Sequence, residues 1–255
     1  MRRAAIVLGF MAGLLVPCYA QQPQIIVSAA ASLTDVLTDL KPGAEAFLGA
    51  RVLYNFGGSG ALRRQVEEGA PVDVVFFAAA EDMDRLEKAG LVISASRRDL
   101  LSNSMVLIGD EEMAPATGIN ELRTLLSKAE FLAIGNPDVV PAGRYAVQAL
   151  TTFGLFSIVE RKLVLGGTVR EVLQYVESGS APLGMVFATD AASVKPPSHL
   201  RQLFLFPEDA MKTPILYPAA VVSATKNRDI AGKMMDYLLS DVARNAFHRA
   251  GFILK

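Results

Sequence analysis

The chain has 255 residues, 51 % of them apolar, with 25 basic against 26 acidic side chains. That length and apolar content supply a core for one large domain or two lobes. The near-neutral charge excludes a broad electrostatic footprint for nucleic acid or an anionic membrane, so an anionic ligand would have to be attracted by local geometry.

Arg2 and Arg3 form a short positive start, Ala4 to Val16 an almost unbroken apolar run, and Cys18-Tyr19-Ala20 places small residues at the −3 and −1 positions of a cleavage site. This is the layout of a secretory signal peptide over residues 1–20, and it predicts export to the periplasm. A membrane anchor is the alternative, but the run falls short of the about 20 residues that span a bilayer. Acylation of Cys18 is a second alternative, with Pro17 standing where a small residue is expected. The paired arginines alone are weak grounds for twin-arginine export, because Ala4-Ala5-Ile6 does not extend the motif. Cys18 is the only cysteine. Cleavage then leaves a chain without disulfides, thiolate metal sites or cysteine nucleophiles, as suits an oxidising compartment.

In chain order, Ile25–Val27 reads as a strand and is followed by a helix from about Leu33; Arg51–Phe56 is a strand followed by a helix over Ala61–Glu68. Strands follow at Val72–Phe77, Met105–Ile108, Phe131–Ile134, Leu163–Leu165, Leu183–Phe187 and Leu203–Phe206, with helices at Glu121–Lys128, Tyr145–Phe153 and Val169–Glu177. Tyr217–Val222 is a last strand before helices Ile230–Leu239 and Val242–Ala250. Strands separated by helices of this length predict an α/β protein with mainly parallel sheets. About ten strands are many for one small sheet, so two sheets are expected.

Four strand-to-helix junctions are written so that backbone N–H groups stay accessible, and a helix N-terminus with free N–H groups is a natural seat for an anion. The first, Ser28-Ala29-Ala30-Ala31-Ser32-Leu33-Thr34-Asp35, leads small residues to Ser32, with Asp35 three positions on as in a capping box. Its plain alternative is that Ser32 only caps a helix. The second, Phe56-Gly57-Gly58-Ser59-Gly60-Ala61, offers close backbone approach and the Ser59 hydroxyl. It lacks the phosphate-loop ending and the dinucleotide spacing. It also nearly matches a G-x-S-x-G nucleophile elbow, with Ala61 in the last place, and a ligand-free tight turn is its plain reading. In the third, Pro141 suits the first helical position and the Ala142 amide is the next free donor. In the fourth, Thr168 and Glu171 form a capping box that leaves Val169 with a free amide. Arg63, Arg64, Arg144 and Arg170 lie within a turn of these junctions and are expected mostly on solvated surface. His199 and His248 show no metal spacing.

At these junctions the sequence resembles the molybdate-binding proteins of bacterial ABC transporters. The similarity runs in order through Ala29-Ala30-Ala31-Ser32-Leu33-Thr34, Phe56-Gly57-Gly58-Ser59-Gly60-Ala61-Leu62, Gly69-Ala70-Pro71-Val72-Asp73, Gly135-Asn136-Pro137, Val140-Pro141-Ala142-Gly143, Ala181-Pro182-Leu183-Gly184-Met185-Val186, Phe206-Pro207-Glu208 and Tyr217-Pro218. The resemblance implies a two-lobed type II periplasmic binding protein with ligand in the cleft: residues 21–101 begin lobe I, 102–214 form lobe II and 215–255 return to lobe I. It implies ligand contacts from the Ser32 and Ser59 hydroxyls and the Ala142 and Val169 amides. A fifth position, a tyrosine in the family, is Phe187 here, which keeps the ring and loses the donor; the ligand then lacks that donor, or a water or the Thr189 hydroxyl supplies it. Molybdate or tungstate would be bound as an oxyanion, with no cofactor and no protein atom on the metal itself. The expected partner is an ABC membrane permease, with the protein a monomer and no nucleic acid involved.

A site made only of donors suits a fully deprotonated dianion, whereas phosphate keeps a proton near neutral pH and needs an acceptor. A sulfate-, phosphate- or iron-binding protein of the same fold is the nearer rival, and cleft size would have to separate sulfate. The rival of another class is a serine hydrolase using Ser59 with His199 or His248 as base.

Overall fold

The computed structural model describes residues 22–255, so the expected leader, Cys18 included, lies outside the described residues. Two sheets form, each with helices packed on it. The first is built from β1 (Gln24–Ala30), α1 (Thr34–Leu48), β2 (Arg51–Gly57), α2 (Ser59–Glu67), β3 (Val74–Phe76), α3 (Ala80–Lys88) and β4 (Arg98–Ser102). The chain then crosses to a second sheet containing β5 (Met105–Asp110), α4 (Ile119–Lys128), β6 (Leu132–Gly135), α5 (Pro141–Thr152), α6 (Phe156–Val159), β7 (Leu163–Gly166), α7 (Val169–Glu177), β8 (Leu183–Phe187), α8 (Ala188–Ala192) and β9 (Leu200–Leu205). It returns to the first sheet through β10 (Leu216–Val221), α9 (Arg228–Leu239), α10 (Asp241–Arg249) and β11 (Ile253–Leu254). Strand orders are β11-β4-β10-β3-β1-β2 and β7-β6-β8-β5-β9.

The sheets are mixed rather than mainly parallel. β1 pairs parallel with β2 and β3, and β6 with β7 and β8. The other five pairings, β10 with β3 and β4, β11 with β4, and β5 with β8 and β9, are antiparallel. The parallel pairs arise where a helix carries the chain back over the sheet. The antiparallel ones cluster where the chain enters, leaves or ends a lobe. Helix α3 and strands β4 and β11 are elements that hydrophobic patterning did not pick out. Arg98-Asp99-Leu100-Leu101-Ser102 is half polar, and β11 is a two-residue edge against β4.

Strand register and one buried carboxylate set the geometry at the strand ends. The register pairs Ala30 with Gly57 at the ends of β1 and β2, so Ser32 and Ser59, each two residues on, leave neighbouring strands on the same edge. Gly135 and Gly166 pair likewise at the ends of β6 and β7. Asp73 ties the first lobe together: its carboxylate accepts from the Ile26 amide at 2.8 Å, the Asn227 amide at 3.2 Å and the Thr225 hydroxyl.

Helix α5 lies so close to β6 that a Cβ on Gly143 would stand 1.8 Å from the Gly135 carbonyl oxygen, whereas a Cβ on Gly232 in α9 would meet nothing within 4 Å. The same substitution therefore has opposite effects at the two positions. Gly143→Ala forces backbone apart and should destabilise the fold by about 3 kcal/mol. Gly232→Ala should stabilise it by about 0.5–1 kcal/mol through helix propensity and reduced unfolded-state entropy. Denaturant melts of the two variants check this; equal midpoints would show that α5 is not seated on β6 this tightly.

Candidate functional site

The five positions singled out from sequence come together. Ser32, Ser59, Ala142, Val169 and Phe187 all line one small pocket at the ends of the strands, where the two sheets face each other. Its volume is about 10 Å³, close to the room that one water molecule needs, so a larger ligand would require the two lobes to part slightly around it. The rest of the lining is Ala30, Ala31, Gly57, Gly58, Ala78, Val140 and Pro141, so the two serines are its only polar side chains and none is charged. A larger cleft of about 890 Å³ opens beside it and shares Ser32. The small pocket is where the donors converge.

Each serine oxygen already has a partner behind it. Ser59, fully buried at the start of α2, accepts from the Ala78 amide at 3.0 Å. An oxygen that accepts there keeps its own hydrogen for something else. Ser32 sits in a short 3-10 turn (Ala31–Leu33) and caps no helix; its Oγ lies 3.1 Å from the Tyr217 hydroxyl. Asp35 closes no capping box with it, because the Asp35 carboxylate pairs with Arg170 at 2.7 Å instead. In the second lobe, Pro141 opens α5 without a side-chain cap, and Thr168 caps α7 by accepting from the Glu171 amide at 3.1 Å. Among the described residues the Ala142 and Val169 amides find no protein acceptor. They are first-turn donors with helix dipoles behind them.

The glycines of the second junction serve the lobe interface as much as the pocket. A Cβ on Gly58 would lie 2.6 Å from the Val139 carbonyl oxygen, and one on Gly60 would lie 2.9 Å from the Val139 Cα. The Gly60 amide donates to that same carbonyl at 2.9 Å. Only bare backbone lets the loop before α5 close this far over the start of α2.

Three of the four nearby arginines are not solvated surface. Arg63 is buried and bonds Asp82 at 3.2 Å, and Arg144 reaches from α5 across to the same Asp82 carboxylate. On the other side Arg170 reaches from α7 to Asp35 in the first lobe and lies 3.1 Å from buried Asp190. Only Arg64 is exposed. For Arg144 and Arg170 the acidic partners sit far away along the chain, beyond the reach of sequence reasoning, whereas Arg63 also pairs with Glu67 one turn on. Sequence reasoning also missed Tyr217 and Asn103, which bond each other behind Ser32; the one available signal was a tyrosine in a buried strand, which needs a partner for its hydroxyl.

Phe187 is buried, with its ring 6.3 Å from that of Tyr145 and 5.8 Å from that of Tyr217. Thr189 does not line the small pocket; its hydroxyl accepts from Asn103 at 2.8 Å. Neither histidine approaches Ser59: His199 pairs with Glu111 at 2.9 Å on the surface of the second lobe, and His248 is exposed on α10. Among the described residues no group of three or more His, Cys, Asp or Glu is placed to hold a metal ion.

Burial pushes the Asp190 carboxyl up to about 7, with Arg170 only partly opposing it. The folded chain therefore holds a proton that the unfolded chain, with its ordinary carboxylate, has lost. Between these two values folding takes up a proton, so the stability contributed by this group is full below about pH 4 and is lost as pH rises toward 7. Asp190→Asn cannot ionise, so its melting temperature relative to the unmodified protein should climb from pH 4 to pH 7 and then level off. A constant difference across that range would place the cost elsewhere.

Comparison with known proteins identifies the family. Residues 25–253 match the family described as bacterial extracellular solute-binding protein. The molybdate-binding protein ModA of Escherichia coli is 35 % identical over 244 residues, covering 92 % of this chain and 91 % of its own. The structure of the Azotobacter vinelandii periplasmic molybdate-binding protein superposes with a TM-score of 0.76 at 23 % identity, covering 91 % of this chain and 99 % of that one. The sulfate-binding protein SubI of Mycobacterium tuberculosis also superposes with a TM-score of 0.76, at 18 % identity over 90 % of this chain and 86 % of its own. The two-lobed fold is thus shared while its ligand varies, and the chain belongs to the bacterial extracellular solute-binding proteins, among the relatives of the periplasmic molybdate-binding proteins.

Proposed function

We propose that this protein captures molybdate or tungstate outside the cytoplasm and delivers it to the membrane permease of an ABC importer. The observation that carries the reading is the chemistry of the pocket lining: two serine hydroxyls, free first-turn amides, and no charged or obligate acceptor side chain. A tetrahedral dianion has only acceptors to offer, and every polar group here can donate. Hydrogen phosphate would bring a proton with no carboxylate to receive it. Uncharged donors also avoid the desolvation of a buried cation on top of that of the ligand. The family relatives that bind molybdate support this choice over sulfate, and pocket size is what would separate the two. Ser32 and Ser59 hold the anion from the first lobe, Ala142 and Val169 from the second, so the ligand bridges the lobes.

Calorimetry against molybdate, tungstate, sulfate, phosphate and chromate tests the reading. Molybdate and tungstate should compete for one site and sulfate should bind far more weakly; sulfate binding as tight as molybdate would overturn the assignment. Ser32→Ala and Ser59→Ala should each weaken molybdate binding by about 1–3 kcal/mol, the cost of losing a charge-assisted hydrogen bond. Unchanged affinity in both variants would move the site elsewhere.

Phe187 walls the pocket without donating. Two neighbouring hydroxyls do not replace its missing one: Thr189 is outside the lining and Tyr217 is bonded to Ser32 and Asn103. Phe187→Tyr should therefore tighten molybdate binding by about 1–2 kcal/mol, roughly tenfold. Dissociation constants of the two proteins in one buffer decide it, and a variant that binds no better would mean the anion's oxygens are already satisfied.

A further inference from the structure

A chain of hydrogen bonds runs from the crossing segment between the lobes to the pocket, and its direction can be worked out. Asn103 lies between β4 and β5, buried. Its Oδ1 accepts from the Ser104 amide at 2.9 Å. A backbone N–H can only donate, so this contact fixes the side-chain amide and leaves Nδ2 facing the other way. Nδ2 donates to the Thr189 hydroxyl at 2.8 Å and to the Tyr217 hydroxyl at 3.1 Å. Tyr217 is fully buried, and burial, reinforced by the nearby Asp190 charge, pushes its pKa well above the ordinary tyrosine value, so it keeps its hydrogen. With its oxygen accepting from Asn103, that hydrogen points to the remaining neighbour, Ser32 Oγ at 3.1 Å. Ser32 then accepts, and its own hydrogen is left for the pocket it lines.

We propose that Tyr217 and Asn103 are positioning residues: their hydrogen-bond chain fixes the Ser32 hydroxyl as a donor toward the ligand, so that Ser32 contributes to anion binding only with the Tyr217 hydroxyl behind it. This rests on the reading of the pocket as an oxyanion site. It adds two residues that touch no ligand, and it makes Ser32 the counterpart of Ser59, whose oxygen is occupied by the Ala78 amide. The Tyr217 side chain is aimed by its strand, because the pairing of β10 with β4 shifts register between Tyr217 and Pro218. Such an irregularity turns a side chain out of the regular alternation, and proline, without an N–H, sits there without loss of a ladder bond.

A residue that acts through Ser32 gives a different signature from one that merely supports the fold, and a double-mutant cycle reads it. Tyr217→Phe keeps the ring, which packs 5.8 Å from Phe187 and 5.3 Å from Phe252. Calorimetry with sodium molybdate should show a dissociation constant about tenfold higher for Tyr217→Phe. Combined with Ser32→Ala, it should cause no further loss beyond about twofold over Ser32→Ala alone. Asn103→Ala should also weaken binding, and that loss should vanish in the Tyr217→Phe background. An unchanged affinity in Tyr217→Phe, or fold losses that multiply in the double variant, overturns the proposal. Should Tyr217→Phe fail to fold, the cycle of Asn103→Ala with Ser32→Ala carries the same two outcomes. If the unmodified protein binds molybdate and the cycle is multiplicative, only this inference falls. If the unmodified protein binds no tetrahedral oxyanion, the functional reading falls and this inference with it.

Discussion

A pocket can be complementary to a dianion only if its hydroxyls have hydrogens to spare, and on the proposed reading the rest of this structure depends on that condition. A serine hydroxyl is ambivalent: unoccupied, it can donate or accept with equal ease. Ser59 is resolved by the Ala78 amide and, in the proposed hydrogen-bond chain, Ser32 by Tyr217. Both oxygens are engaged from the protein side before any ligand arrives. The backbone donors need no such device, since an amide cannot accept at nitrogen. Preorganising the donors this way leaves little reorganisation to be done on binding, which is where affinity is otherwise lost.

The charges that the pocket excludes reappear at its rim, where they join the lobes. Arg144 is two residues beyond Ala142 and Arg170 one beyond Val169, both in the first turn of a helix, where a cation opposes the macrodipole. Each offsets that unfavourable placement by reaching an acid of the other lobe, Asp82 or Asp35. The arginines thus stand on either side of the pocket without entering it. Both are neutralised there by carboxylates, so the rim carries paired charge and the pocket lining stays uncharged. The Gly60 to Val139 backbone bond belongs to the same closure. Side chains at Gly58 or Gly60 would hold the lobes apart before the ion pairs could form.

What could be read from the sequence was whatever is local. Small residues and a proline at the four helix starts point to free amides, and Ser32, Ser59, Ala142, Val169 and Phe187 do line one pocket. Helix α7, with Val169, Val172, Leu173 and Val176 buried at the spacing of one helical face, was legible for the same reason. Sheet direction was not, because whether β10 runs with or against β3 depends on how the chain returns from the second lobe. Composition alone places arginines in solvent, and no local pattern corrects it, because Arg170 and Asp35 are separated by 135 positions and Arg144 and Asp82 by 62. Asn103 gave no signal at all: its role is fixed by the Ser104 amide on one side and by Tyr217, 114 positions away, on the other.

If position 187 is the one at which the family resemblance implies a tyrosine, the missing hydroxyl is a matter of geometry as well as of inventory. A second tyrosine ring packs directly against Phe187, and by composition its hydroxyl could have served in place of the missing one. In the proposed chain it does not, because a phenol has one hydrogen, and with its oxygen accepting from Asn103 Tyr217 turns that hydrogen to Ser32. Redirecting that hydrogen to the ligand would leave Ser32 free to accept, and the site would gain one donor while weakening another. The hydroxyl behind Ser32 and a hydroxyl at position 187 are therefore not interchangeable: one sets the polarity of a contact, and the other would add a contact. On the proposed reading, a chain that keeps the first and lacks the second would retain discrimination against protonated anions while giving up part of its affinity.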